Sequence, residues 1–276
     1  MNYSWDKPAL LRSLPFRPLH PAIARLGGDA FPSLQDCNAL LASTPIAVHN
    51  GKPLRFVPQE YGKLPFESQY EPRCYLEGEV QTRADNWHDL LNALVWLAFP
   101  GAKAAINARH YEALTGGAPD AESRSQRGSV RDTNTLFDES GVVVPCADPE
   151  LAGLLRDFRW KELFWARRAR VSASMGFFLF GHGLYEKALR PYVGMTGQGL
   201  LLPVEAAFFG WPLEEQLRHL DESLAQYLAE PGHCRSTAEL TPVPLLGVPG
   251  WTPDNDDPAY YDNAAYFRPG RRRQPA

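Results

Sequence analysis

Mixed α and β, of the α+β kind, is the fold class this sequence predicts, and three observations predict it. Helical and strand-like periodicities interleave without the regular strand-helix-strand repeat of a doubly wound parallel sheet. The strand-like stretches are short and bounded by turn residues, as short antiparallel strands and hairpins are. The longer helical stretches are either apolar nearly all round or carry one apolar stripe, as helices on a shared core do. A single globular domain of 276 residues is expected, in three parts. These are a Pro-rich segment with a short helix at 1–45, the α+β core at 46–240, and an extended Pro- and aromatic-rich arm at 241–276 packed on that core.

In "PSLQDCNALLAS" (32–43), Pro32 and Ser33 open a short helix with Leu34, Cys37, Leu40 and Leu41 on one face. "IAVHNGKPLRFVPQ" alternates around Asn50-Gly51, a tight-turn dipeptide, and predicts a hairpin over 46–58. Two helices follow between 83 and 114, separated at Pro100-Gly101, and the second stops at Gly116-Gly117. The polar stretch 117–130, with Arg124 and Arg127 and followed by Arg131, reads as a loop. "DTNTLFDESGVVVPCAD" reads as a second hairpin, with limbs at 135–138 and 142–146 around Glu-Ser-Gly. Asp148-Pro149-Glu150 supplies a helix start followed by Leu151, Leu154, Leu155 and Phe158, and Arg167, Arg168 and Arg170 suit that helix's negative end. "GFFLFGHGLYEKAL" is a buried strand, a Gly-His-Gly turn and a helix. "WPLEEQLRHLDESLAQYLAE" is an amphipathic helix striped by Leu213, Leu217, Leu220, Leu224 and Leu228. The closing segment carries Trp251, Tyr260, Tyr261, Tyr266 and Phe267, too many aromatics for a free tail, so only its last Arg-rich residues should be free.

Composition excludes some functions. Lys plus Arg total 28 against 32 Asp plus Glu, a net charge of -4, so no overall field draws the chain to nucleic acid or to an anionic membrane. The first twenty residues lack a secretory pattern, and the apolar run 93–99 is far shorter than the roughly 20 residues a spanning helix needs. A cytoplasmic protein without a membrane partner is expected. Cys37, Cys74, Cys146 and Cys234 are too scattered for a zinc knuckle or a disulfide framework and read as reduced, buried thiols.

The chemistry-bearing residues are polar groups in apolar settings. In "RADNWHDLLNALVWLAFP", Asp85, His88, Asp89 and Asn92 cluster within about two turns of a helix that is otherwise nearly all apolar. Capping alone needs one such side chain rather than four. On the next helix Lys103, Asn107 and His110 share a face, and if the two helices fold back, His88 and His110 approach; a solvated surface is the alternative. Asp132 and Asp138 have the same parity on the expected strand, with Glu139 pointing away, although Asp138 and Glu139 also suit a turn. Gly181-His182-Gly183 puts a histidine at the carboxyl end of a buried strand, with Glu186 one turn on. No phosphate loop, His-Glu-x-x-His pair, Gly-x-Ser-x-Gly elbow or Cys-His signature occurs.

"DNWHDLLNALVWLAFP", "NARH", "RDTNTLFDESGVVV", "WKELFW", "FGHGLYEKAL" and "GVPGWTPDNDDPAYYDNAAYFRP" together make the chain resemble the bacterial domain-of-unknown-function family 3025, from about residue 50 to 268. The resemblance implies no activity and no assigned residues. From the residues, the expectation is a metal-assisted hydrolase of a small-molecule substrate. His88, Asp89, His110, Asp132 and His182 would gather a divalent metal ion at one cleft, His88 and His182 would be catalytic, and Glu186 or Asp138 would handle protons. The competing expectation is a non-catalytic module that reads nucleic acid or a protein partner through Arg124–Arg131, Arg167–Arg170 and Arg271–Arg273, with Trp160, Phe164 and Trp165 interspersed.

Overall fold

The structure is a computed structural model of the chain and describes residues 4–28, 30–116 and 121–270, for 121–127 as backbone only. It begins with α1 (Lys7–Arg12), α2 (His20–Arg25) and α3 (Leu34–Ser43). Ser33 and Asp36 form a reciprocal capping box at the start of α3, which satisfies two otherwise orphaned backbone donors. Next come β1 (Arg55–Pro58), α4 (Tyr70–Glu77) and β2 (Glu79–Thr82). The expected hairpin over 46–58 shrinks to a turn at Asn50-Gly51 and one antiparallel bridge, Ala47 to Pro53. β1 instead pairs in parallel with β2, Phe56 opposite Val80. Pro53 lacks the N–H a longer hairpin ladder would need.

The apolar stretch forms α5 (Trp87–Ala98), and Pro100 opens α6 (Pro100–Thr115), with a bend of 113° between them. α7 (Ala121–Ser140) then runs straight into β3 (Gly141–Cys146). Both the polar loop and the second hairpin are thereby corrected: 121–130 is helical, 135–138 belongs to the last turns of α7, and 117–120 lies outside the described residues. Helical spacing wins because Thr133, Asn134 and Phe137 are buried together. Thr133 Oγ1 and Asn134 Nδ2 also donate to the carbonyls four residues back, of Ser129 and Val130. Asp132 and Asp138, six residues apart on a helix, point roughly 120° from each other rather than to one side.

The chain continues through α8 (Pro149–Arg156), α9 (Arg168–Ser174), β4 (Phe178–Leu179), α10 (His182–Ala188), β5 (Thr196–Pro203), α11 (Leu213–Ala229) and β6 (Thr241–Pro244). The strand order is β4-β3-β5-β6, with β3 and β5 parallel and both outer pairings antiparallel. All six residues of β3 are buried, which suits its unbroken Gly-Val-Val-Val-Pro-Cys run. Together with the parallel β1–β2 pair, this makes a mixed α+β domain in which the strands are less antiparallel than the turn signals suggest.

Asp148 caps α8, accepting from the N–H groups of Glu150 and Leu151. α8 ends at Arg156, so Arg167, Arg168 and Arg170 sit at the start of α9 and not at the negative end of a helix. Acidic partners neutralise them instead: Arg167 and Arg170 reach Glu150, Arg170 also reaches Asp148, and Arg168 reaches Asp256. α11 packs on α6 through Leu217, Leu220, Leu224 and Leu228. Asp221 of α11 accepts from the N–H groups of Gly101 (2.9 Å) and Ala102 (2.8 Å), capping α6 from outside its own chain segment. In the closing arm β6 joins the sheet, and Tyr261, Tyr266 and Phe267 are buried in a core that begins at Trp5. All four cysteines are buried and unpaired with one another. Among the described residues no single helix is long and apolar enough to cross a membrane.

Candidate metal centre

Three chain segments meet at one point: the first turn of α5, the last turn of α7 and the first turn of α10. Asn86 caps α5 through Asp89 N, and Asp85 before it takes a left-handed φ of 52°. His88 is thereby turned toward α10. The glycines flanking His182 explain why α10 comes so close to α7. A Cβ on Gly181 would lie 2.4 Å from Ser140 N, so a side chain there would separate the two elements, whereas one on Gly183 would lie 2.4 Å from Glu139 Oε2 and would displace that carboxylate. Tyr185, buried in α10, anchors the helix by donating its hydroxyl to Leu179 O at 2.7 Å.

The result is a triad of converging donor atoms from His88, Glu139 and His182. The two Nε2 atoms are 3.0 Å apart, and Glu139 Oε1 lies 3.4 Å from that of His182 and 3.9 Å from that of His88. A triangle with these sides has a centre about 2.0 Å from every corner, which is the bond length that zinc makes to imidazole nitrogen and carboxylate oxygen. Two histidines and one carboxylate are also the ligand set of many catalytic zinc and non-haem iron sites.

Behind each imidazole stands a carboxylate. His88 Nδ1 is 3.1 Å from Glu186 Oε2, and His182 Nδ1 is 3.6 Å from Asp138 Oδ2. Asp138 is itself held by Lys103, whose Nζ donates to its Oδ1 at 2.5 Å. Carboxylates in this position orient metal-ligating histidines and direct the Nε2 lone pair forward. The tautomers, inferred from the hydrogen-bond network, carry a signal. Donation from His88 Nδ1 to Glu186 leaves His88 Nε2 as an acceptor, so His182 Nε2 must donate, and the buried His182 Nδ1 is left without a hydrogen bond. With both Nε2 atoms engaged by a cation, the His182 proton would sit on Nδ1, facing Asp138.

The electrostatics fit this arrangement. Burial pushes the Asp138 carboxyl up, but the Lys103 ammonium and then His182 outweigh it and hold the group below the usual carboxylate range. The hydrogen bond with His182 likewise holds Glu139 down against partial burial. Both acids are therefore anionic near neutral pH. His88 and Glu139 of the triad line a cleft of about 610 Å³, whose other walls are Ser140, Gly183, Glu186, Lys187, Arg190 and Tyr192.

Of the residues singled out in the sequence, His88, His182 and Glu186 come together here, and Asp138 stands behind His182 rather than in the cleft. Asp89, His110 and Asp132 do not join the donor triad. Both Asp89 oxygens are taken by Arg83, at 2.6 Å from its backbone N and 2.7 Å from Nη2. His110 lies near the far end of α6, which the 113° bend carries away from His88, and pairs with Glu71 at 3.1 Å and with Thr135 at 3.4 Å. Asp132 is exposed on α7. Glu139 and Lys103 also belong to this cluster, although neither is among the expected metal-binding or catalytic residues: the sequence favours a turn for Glu139 and leaves Lys103 open between a shared polar face with His110 and a solvated helix surface. An unbroken helix read through to residue 140 brings Asp138 and Glu139 to its closing turn.

The arginine segments do not form a free stripe among the described residues, since Arg167, Arg168 and Arg170 are engaged as above. Arg271–Arg273 and the side chains of Arg124 and Arg127 lie outside the described residues. Trp160 and Phe164 are core residues, and Trp165 packs against the core.

A family model described as a protein of unknown function (DUF3025) matches residues 54–271, which include all three triad residues and both supporting carboxylates. No curated protein and no solved structure matches the chain.

Proposed function

Since the chain belongs to the DUF3025 family of unknown function, we propose from its geometry that it is a metal-dependent hydrolase, with His88, Glu139 and His182 holding one divalent ion. The observation that carries this reading is the common point about 2.0 Å from three donor atoms, backed by a carboxylate behind each imidazole. A bound divalent ion would supply Lewis acidity and a water whose pKa falls to about 7.

The rest of the chemistry belongs to side chains. Glu186 lines the cleft and uses one oxygen on His88; it takes the proton of the attacking water and returns it to the leaving group. The water oxygen bonds to phosphorus or to a carbonyl carbon, and the bond to the leaving group breaks with its electron pair. Asp138 exchanges no proton with substrate: tied to Lys103, it fixes the ring of His182.

The test is metal content of untagged protein, wild type beside His88→Ala, His182→Ala and Glu139→Gln. Stoichiometric metal in the wild type and its loss in the variants is the expected result. A metal-free wild type, still folded after incubation with zinc, manganese or ferrous salts, overturns the reading.

A further inference from the structure

The wall beside the triad has a charge and a shape that narrow the substrate. Gly183, Glu186, Lys187 and Arg190 recur at spacings of three and four, so one side of α10 and its extension faces the cleft. The acids there are occupied: Glu186 accepts from His88, and Glu139 faces both imidazoles. Lys187 is exposed and has no ion-pair partner among the described residues. Counting Glu139 and Glu186 against Lys187 and Arg190, the lining is formally neutral, and a divalent ion makes it doubly positive. Tyr192, 51% exposed, is a large apolar side chain left uncovered beside these charges. Tyr192 lines the cleft itself. The volume of about 610 Å³ suits a small molecule rather than a polymer.

We infer that the substrate is a small phosphate monoester with a flat apolar ester group. This rests on the metal reading above. A phosphate monoester carries roughly -1.5 to -2 at neutral pH, which matches the loaded lining, whereas a carboxylate leaves one positive charge unmet. Lys187 takes phosphoryl oxygens turned away from the triad, and Tyr192 covers the apolar group.

The test uses phosphonates, whose C–P bond is not hydrolysed. Methylphosphonate and phenylphosphonate are titrated into zinc-loaded protein by calorimetry, with benzoate as the carboxylate control and metal content measured on every sample. Phenylphosphonate should bind about two- to tenfold more tightly than methylphosphonate through the aromatic contact. Lys187→Ala should weaken both phosphonates by about tenfold or more, the loss of a charge-assisted hydrogen bond. Tyr192→Ala should weaken phenylphosphonate alone and erase the difference between the two. Metal content should stay at the wild-type level in both variants. If metal is present but Lys187→Ala binds both phosphonates as the wild type does, or benzoate binds as tightly as phenylphosphonate, the substrate class is wrong while the metal reading survives. A wild type that takes up no metal overturns both.

Discussion

Replacing Lys103 by Met should destabilise the protein strongly at neutral pH and much less in acid. The Lys103 side chain is 5% exposed and that of Asp138 17%, and they meet at 2.5 Å. Removal of the ammonium strands a carboxylate that burial disfavours and that Lys103, more than any other group, keeps ionised. Breaking such a pair from one side costs about 3–5 kcal/mol. For a chain of 276 residues, the unfolding entropy is about 0.6 kcal/mol/K, so the melting temperature should fall by about 5–9 °C. The pH dependence follows from the direction of the shift. Asp138 titrates lower in the folded protein than in the unfolded chain, so the pair stabilises above the unfolded value, about 4, and that stability is lost as pH falls through the depressed folded value. Calorimetric melts of wild type and Lys103→Met in a chelator, at pH 7 and pH 3, should therefore show a gap that narrows in acid. A gap below about 1 kcal/mol at pH 7, or one that does not change with pH, would refute the argument that Lys103 acts by holding a buried carboxylate.

Three further outcomes are expected. Gly183→Ala should lower zinc affinity by at least about tenfold, because its methyl group displaces the Glu139 carboxylate, while the melting temperature of the chelated protein falls little; unchanged affinity in a zinc titration would count against the role of the glycine. Glu186→Gln should lower zinc affinity by about 10–100-fold with all three ligands intact, as the proton on His88 Nδ1 loses its anionic acceptor. Burial pushes the Asp221 carboxyl up to about 6, so its contribution is greatest below the unfolded value of about 4 and is lost as pH rises to 6. Urea denaturation at pH 4 and pH 7 should show the stability of wild type relative to Asp221→Asn declining over that interval, and a rising or flat difference would contradict the burial argument.

How much of this was legible in the chain depends on which interactions are local. The helix start at Ser33, the Asp148 cap, the stripe of α11 and the strand and helix that flank Gly181 are set by residues a few positions apart and are legible locally, although His182 and Gly183 fall in the helix rather than in a turn. At the α7–β3 junction Asp-Glu-Ser-Gly imitates a hairpin turn, and only burial of Thr133, Asn134 and Phe137 on the domain's core decides for helix. His88 and His182 stood out as polar groups in apolar stretches. Glu139 did not, because its part depends on α10 lying against the end of α7, a contact between residues far apart in sequence. His110 shows the converse: polar residues in an apolar helix also arise from a separate buried network, here with Glu71 and Asn107.

The donor triad draws one ligand from each of three segments that are distant along the chain, at positions 88, 139 and 182. No hairpin, helix pair or proteolytic fragment within any one of these segments carries the set, so an unfolded or half-assembled chain offers an ion only scattered ligands. Metal capture would therefore be a late event in the life of the molecule, after α5, α7 and α10 have docked, and would act as a latch between segments far apart along the chain. Release of the ion should make that three-way junction the first place where the folded protein breathes, and amide exchange at the Gly181–Gly183 turn would register it.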